Sequence, residues 1–348
     1  MLLDGLHIPL TTPFYPDGRV YFRKLEHNAE RYSRTPASGL TLLTRTGEAS
    51  LLSDDETRQV LRSAIEAAAL EKVMIANISR DSVSNTLDLA EAVASLNYDA
   101  ILLRVPGILA AGAPDTKSLL TYFHLIADHA PLPILLEDSP ALTPSILAEI
   151  SARPAFLGVV IPGGPLNRIH EVKSVTATAA QDVVVTTTFA AVTRRMRAPV
   201  ETTTAGNYIA AGSLTGGSTA LATAPPAPAI KTRTKRVGFQ VLNGSTLQAL
   251  GSLEAGVAGA ILPFAACAPQ AVHEVFAAWK DGNPALAAEK QRRLLEAATL
   301  IEATLGVPAI KAACDLNGYF GGRPRLPLLP LSGEDRSRVE SLMAGMRN

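Results

Sequence analysis

The stretch that decides the fold runs from Val73 to Val105, VMIANISRDSVSNTLDLAEAVASLNYDAILLRV. Two apolar runs, Val73–Ile78 and Ala100–Val105, flank a segment, Ser84–Leu96, in which Leu87, Leu89, Ala90 and Val93 recur at helical spacing. The runs are almost wholly apolar rather than alternating, which is the pattern of parallel strands buried on both faces. Strand, helix and strand together make one βαβ unit.

Further runs of the same kind lie on either side: His7–Thr11, Gly39–Leu43, Pro133–Leu136, Gly158–Ile161, Phe239–Leu242 and Gly259–Phe264. The total is eight strands separated by helical patterns such as Asp54–Leu70, where Leu61, Ile65 and Ala68 share a face. Ser53-Asp54-Asp55-Glu56 places a capping serine three residues before a glutamate, a capping box that starts this helix. Eight β-then-α units predict an α/β fold of the (β/α)8 TIM-barrel type over residues 1–270, and residues 271–348 read as a C-terminal helical region. A doubly wound open sheet would produce the same pattern, because strand order is not written in sequence. The spacing predicts further helices over Asn283–Leu305 and Gly333–Met343, more than a barrel needs.

Composition narrows the partners. The 348 residues are 47% apolar and 18% charged, with 32 basic residues against 32 acidic ones, so no global field draws the chain to nucleic acid or to an anionic membrane. A small molecule is the expected partner. The start, Met1-Leu2-Leu3-Asp4-Gly5, lacks the basic and apolar regions of a secretory signal, and the apolar stretch Ala255–Pro269 is too short to span a bilayer. Two cysteines, Cys267 and Cys314, fit free thiols in a reducing compartment, so a cytoplasmic protein is expected.

One segment breaks the rhythm. Residues 190–237, a long insertion before strand seven, are rich in Thr, Ala, Gly and Pro, including Thr202-Thr203-Thr204, Gly216-Gly217 and Ala224-Pro225-Pro226-Ala227-Pro228. Arg194, Arg195, Arg197, Lys231, Arg233, Lys235 and Arg236 stand there against Glu201 alone. It reads either as a solvated loop with basic shoulders or as an anion-binding or subunit-bridging arm. Its β-prone flanks, Val183–Thr188 and Thr232–Gln240, can pair as a ribbon that lengthens the seventh strand.

In a barrel of this type, chemistry sits at the C-terminal ends of the strands. That rule selects Thr44-Arg45-Thr46-Gly47-Glu48 after strand two, Arg104 after strand four, Glu137-Asp138-Ser139-Pro140 after strand five, Pro162-Gly163-Gly164 after strand six and Asn243-Gly244-Ser245 after strand seven. Arg45 and Arg104 offer fork-like donors for a small carboxylate, and Glu137 is a candidate acid or base. Alternatively, Arg45 and Glu137 neutralise each other as a buried pair. No metal site is expected. Glu137 and Asp138 are adjacent and point to opposite faces of a strand, and no histidine falls at a strand's C-terminal end. Cys267 reads as a small buried thiol rather than a nucleophile.

Several pieces carry a family resemblance. They are Leu10-Thr11-Thr12-Pro13-Phe14, Thr46-Gly47-Glu48 with Leu52-Ser53 and Glu56, Asp81-Ser82 to Thr86, and Pro133-Ile134-Leu135-Leu136 through Pro140. Ala255-Gly256-Val257-Ala258-Gly259, Pro308-Ala309-Ile310-Lys311-Ala312-Ala313 and Arg325-Leu326-Pro327-Leu328-Leu329-Pro330 complete the set. In order and spacing they resemble the dihydrodipicolinate synthase and N-acetylneuraminate lyase family over nearly the whole chain outside the insertion. The resemblance implies a class I aldolase or lyase barrel, a homo-oligomer (dimer or tetramer), that handles pyruvate or a related 2-oxo acid with no bound cofactor. In such enzymes a strand-six lysine forms an imine with the keto carbon and a strand-five tyrosine relays protons.

By that resemblance the lysine position falls on Val160 and the tyrosine position on Glu137. The Gly-Thr-Thr-Gly-Glu loop reads Thr44-Arg45-Thr46-Gly47-Glu48, the second tyrosine site reads Pro106-Gly107-Ile108, and the expected arginine reads Leu142. Valine has no amine, so no imine can form there. Among other lysines, Lys231 and Lys235 reach the mouth only if the insertion folds back over it. The expected catalytic residues are therefore Glu137 and Thr46, and the expected ligand contacts are Arg45, Gly47, Glu48, Arg104 and Asn243. Two functions fit: an aldolase-like lyase working on a small 2-oxo or hydroxy acid without the imine, or a catalytically inactive barrel that binds a small acid or serves in an assembly.

Overall fold

Eight parallel strands close into a barrel in the computed structural model, which describes residues 1–110, 115–197 and 230–346. The first half of the chain supplies β1 (Gly5–Pro9), α1 (Phe22–Ser33), β2 (Gly39–Leu42), α2 (Asp54–Ala67), β3 (Val73–Asn77), α3 (Val83–Ser95), β4 (Ala100–Leu103), α4 (Gly107–Ala110), α5 (Thr116–His129), β5 (Ile134–Glu137), α6 (Pro144–Ser151), β6 (Phe156–Ile161) and α7 (Asn167–Val175). Then come β7 (Ala180–Thr186), α8 (Arg194–Arg197), β8 (Thr232–Gly238), β9 (Gln240–Asn243), α9 (Ala249–Glu254) and β10 (Gly259–Ile261). The chain ends in α10 (Pro269–Lys280), α11 (Pro284–Ala298), α12 (Val307–Leu316) and α13 (Gly333–Met343). Around the barrel the order is β1, β10, β9, β6, β5, β4, β3, β2, and each neighbouring pair is parallel.

The closed order excludes the open doubly wound sheet and explains the apolar runs. Leu6, Ile8, Leu40, Leu42, Met74, Ala76, Ile101, Leu103, Leu136 and Val159 point outward to the helices. Alternate residues, Val73, Ile75, Ala100, Leu102, Leu135, Val160, Leu242 and Ile261, fill the interior as a second cluster. Both faces are dry, so both must be apolar. At Gly158 the two layers leave no room: a Cβ there would lie 1.9 Å from the Gln240 carbonyl oxygen.

The capping box forms as expected. The Ser53 hydroxyl accepts the Glu56 N–H at 3.2 Å and Glu56 accepts the Ser53 N–H at 3.0 Å. The same Glu56 carboxylate also takes both arms of the Arg325 guanidinium, at 2.7 and 2.6 Å, which ties the C-terminal tail to α2.

The insertion before the seventh barrel strand is the fold's departure from the regular repeat. Its central residues 198–229, which hold the Thr, Gly and Pro runs, lie outside the described residues. The flanks pair as an antiparallel ribbon, β7 with β8, and β8 passes through Phe239 directly into β9. Because β8 joins the N-terminal end of β9, the ribbon sits at the base of the barrel, opposite the mouth. Val183 and Val185 pack there with Leu2. Arg195 donates to the carbonyls of Ile65, Ala68, Ala69 and Lys72 at the end of α2, and the Arg194 N–H reaches the buried Asp99 carboxylate. The flank before residue 198 is thus docked on the barrel base through Arg194 and Arg195, whereas β8 keeps Arg233 and Arg236 exposed. Lys235 lines a groove at the base with Leu2, Asp4 and Lys173. The strand directions keep it away from the mouth, so it cannot substitute for an amine there.

Candidate functional site

A cavity of about 640 Å³ opens at the C-terminal end of the barrel. Pro9, Leu102, Val160 and Ile261 form an apolar floor at the inward-facing ends of β1, β4, β6 and β10. Thr44, Arg45 and Thr46 from the loop after β2, Arg104 after β4 and Glu137 at the end of β5 form one polar side. Gly244 and Ser245 after β9, with Glu302, Gly306, Val307 and Ile310 from the C-terminal helices, form the other.

Glu137 is held at the mouth because β5 runs into it with its side chain on the inward face. Burial raises its carboxyl above the usual range, while the Arg104 and Arg45 guanidinium charges pull it back down. Asp138, next in the chain, also lines the cavity, but its carboxylate is engaged, accepting both arms of Arg168 at 2.9 and 2.8 Å. Arg168 also donates to the Leu142 carbonyl at 2.6 Å, so a guanidinium from α7 reaches the backbone of the position where the resemblance expects an arginine. Two polar atoms at the cavity, Thr44 Oγ1 and Arg104 Nε, are buried with no protein partner among the described residues. Such groups are costly unless a ligand or solvent meets them.

The structure brings Arg45, Thr46, Arg104 and Glu137 together on the cavity wall and uses the other three expected residues differently. Glu48 is buried in an ion pair with Lys311, and its second oxygen accepts the Arg325 N–H at 2.8 Å. The Gly47 carbonyl accepts the Thr12 hydroxyl at 2.7 Å, which holds the loop against β1. The Asn243 side chain clasps Ser245, donating to its carbonyl at 2.9 Å and accepting its N–H at 3.0 Å, so it shapes the turn that Gly244 and Ser245 present to the cavity. Ile108, on α4, is exposed and does not line the cavity.

Val160 lies on the floor, and no lysine lines the cavity among the described residues. Lys311 is committed to Glu48. Cys267 lies buried with its Sγ–H on the Phe264 carbonyl, and burial pushes the thiol pKa well up. No cluster of three or more metal-ligating side chains occurs among the described residues.

Glu302 is the wall residue that the sequence pattern concealed. It lies in a π-helical turn, Thr299–Thr304, that continues α11, so a reading by regular helical spacing gives it no special position. One carboxylate oxygen accepts the Thr246 N–H at 3.0 Å and the other the Phe264 N–H at 3.2 Å. Burial raises its pKa, and these hydrogen bonds oppose the rise.

Comparison with known proteins gives a consistent picture. The sequence model of the Dihydrodipicolinate synthetase family matches residues 2–151 and 227–345. The chain is 26% identical to a 4-hydroxy-tetrahydrodipicolinate synthase of Methanothrix thermoacetophila, over 99% of this chain and 97% of that one. It is 25% identical to an L-threo-3-deoxy-hexylosonate aldolase of Hypocrea jecorina, over 99% and 95% of the two chains. Among solved structures, a prophage protein of the dihydrodipicolinic acid synthase family from E. coli K12, in complex with pyruvate, superposes with a TM-score of 0.76 at 20% identity, over 99% of each chain. A dihydrodipicolinate synthetase-like protein of Pseudomonas aeruginosa superposes with a TM-score of 0.77 at 18% identity, over 99% of this chain and 100% of that one. At such identities the structural matches speak for the fold.

Proposed function

The chain belongs to the dihydrodipicolinate synthetase family, and on that premise we propose that its barrel mouth binds a small 2-oxo or hydroxy acid and moves a proton on it through Glu137, as an aldolase-like lyase without a lysine imine. The observation that carries this reading is the convergence of Arg45, Arg104 and Glu137 on one cavity whose floor, at Val160, offers no amine.

One guanidinium takes the ligand carboxylate in a fork of charge-assisted hydrogen bonds. Burial strengthens the hold of Glu137 on a proton while the two arginines keep its ionised form accessible, which suits a group that must take a proton and return it. In an aldol cleavage Glu137 removes the proton of the hydroxyl. The carbon–carbon bond breaks as the new carbonyl forms, and its electron pair moves onto the 2-oxo oxygen as an enolate. The second guanidinium stabilises that oxygen in place of an imine, and Glu137 returns the proton to the enolate carbon. Thr46, on the same wall, supplies short-range hydrogen bonds to the reacting oxygens. The likeness to the L-threo-3-deoxy-hexylosonate aldolase of Hypocrea jecorina supports this class of compound.

A second reading, a catalytically silent barrel that binds a small acid or serves as an assembly partner, is favoured by the missing lysine alone. In either case we assign a homo-oligomeric state, dimer or tetramer, to be checked by light scattering.

The deciding experiment follows deuterium exchange at the methyl group of pyruvate by NMR. Exchange that falls about 100-fold or more in Glu137→Gln supports the proton-transfer reading. Binding without exchange points to the silent barrel, and a borohydride-trapped adduct on an intact lysine would overturn the imine-free chemistry.

A further inference from the structure

The two charged features of the mouth lie across the barrel from each other. Arg45 and Arg104 follow β2 and β4, and Glu137 ends β5. Glu302 is anchored over the ends of β9 and β10 through the Thr246 and Phe264 N–H groups. In the circular strand order β9 and β10 face β3 and β4, so the cationic half and the Glu302 half are opposite walls of one cavity. A ligand that spans the mouth must therefore meet both.

Glu302 is held in place from several sides. Each oxygen accepts one backbone N–H, and the carboxylate, which has about four acceptor positions in all, lines the cavity. Gln291, on α11, donates to the Thr246 and Leu247 carbonyls at 3.0 and 3.3 Å and steadies the turn that holds Glu302. The groups that act on its titration are backbone N–H groups and the Thr246 and Ser245 hydroxyls, with no cation among them, whereas Glu137 has two. An anionic group brought to this wall meets a carboxylate that already occupies the two N–H donors at the ends of β9 and β10.

We propose that Glu302 is the specificity-determining residue of the mouth. It accepts a hydrogen bond from a hydroxyl or amine at the far end of a carboxylate ligand and rejects ligands that carry a second anionic group there, whether a carboxylate or a phosphate ester. The proposal rests on the reading of Arg45 and Arg104 as the carboxylate end, and it adds what the other end must be. The substrate is then a monoanion with hydrogen-bond donors along its tail. Rejection has the larger physical effect, because an anion at this wall loses part of its hydration and is placed beside a carboxylate.

The test measures affinities by titration calorimetry on the unmodified protein for four probes: pyruvate, a five- or six-carbon 2-oxo acid with terminal hydroxyls, the phosphate monoester of that acid, and 2-oxoglutarate. The hydroxylated monoanion is expected to bind about tenfold or more tighter than either dianion. Glu302→Gln is expected to shrink that ratio at least severalfold while pyruvate binding holds. Arg104→Gln is expected to weaken all four together. Ratios within one protein cancel any general loss of folded material, and the ratios of the unmodified protein stand even if a variant folds poorly. Dianions that bind as tightly as the hydroxylated acid, or a ratio that Glu302→Gln leaves unchanged, overturn the assignment of Glu302 while the carboxylate pocket survives. Failure of all four probes to bind overturns both.

Discussion

Lys311 and Glu48 form an ion pair with both side chains fully buried, and this pair joins helix α12 to the loop after β2. The loop needs the tie. Glu48 itself adopts a left-handed backbone conformation, φ 54°, that a non-glycine residue holds at a cost. The pair fixes the position from which Arg45 and Thr46 reach the cavity, so a residue that sequence assigns to ligand binding serves to brace its neighbours.

Removing one partner should therefore be worse than removing both. Lys311→Met leaves the Glu48 carboxylate buried without its countercharge and is expected to lower stability by about 3–5 kcal/mol. The double variant Lys311→Met with Glu48→Gln should recover a good part of that loss. Chemical denaturation of the three proteins measures the coupling.

Val160 supplies a gain-of-chemistry experiment. Its side chain lies on the apolar floor of the cavity, where an amine would be partly desolvated and its pKa lowered toward the nucleophilic range. Val160→Lys is expected to form a pyruvate adduct trapped by borohydride and visible by mass spectrometry, with none in the unmodified protein. An adduct on both would show that another lysine reaches the ligand.

His7 makes stability depend on pH. The ring is fully buried within β1, and desolvation lowers its pKa from 6.5 to about 4. Below pH 6.5 the unfolded chain takes up a proton that the folded chain refuses, so stability falls as the pH drops from 6.5 to about 4 and levels off below that. The total loss from this group is ~3 kcal/mol. His7→Gln should flatten the curve of melting temperature against pH within that window, and an unchanged slope would assign it to other groups.

Arg195 should control how firmly the ribbon stays on the barrel base. Its guanidinium donates to four carbonyls around the end of α2, with no carboxylate directly bonded among the described residues. Arg195→Ala is expected to cost about 2 kcal/mol and to speed amide hydrogen exchange in β7 and β8 more than in β3 or β4. Equal acceleration everywhere would mean that the ribbon and the barrel open as one unit.

The barrel was legible because burial on both faces leaves a mark on every strand. Runs such as Ala100–Leu103 and Val73–Asn77 are apolar at consecutive positions since one neighbour fills the barrel and the next packs under a helix. The strand-end rule then placed Arg45, Thr46, Arg104 and Glu137 at the mouth. That rule failed for Glu48 and Asn243, whose side chains turn to protein partners, because it names the end of a strand but not what competes for the side chain there. Glu302 was illegible for a different reason. It belongs to a helix outside the βα repeat, and only a π-helical turn sets it over the ends of β9 and β10.

The amino-acid sequence by itself determined the βα alternation, the capped start of α2, the family pattern and the valine at position 160, all of which depend on residue type and near-neighbour spacing. The tertiary structure alone decided the closed strand order, the seat of the ribbon at the base of the barrel, the burial of Glu48 against Lys311 and the meeting of Glu302 with Arg45 and Arg104 on one cavity. Each of those joins residues far apart in the chain. Spacing along a sequence constrains which face of an element a side chain occupies, whereas its partner is chosen by closure of the barrel and by the cost of burying a charge or a polar group unpaired.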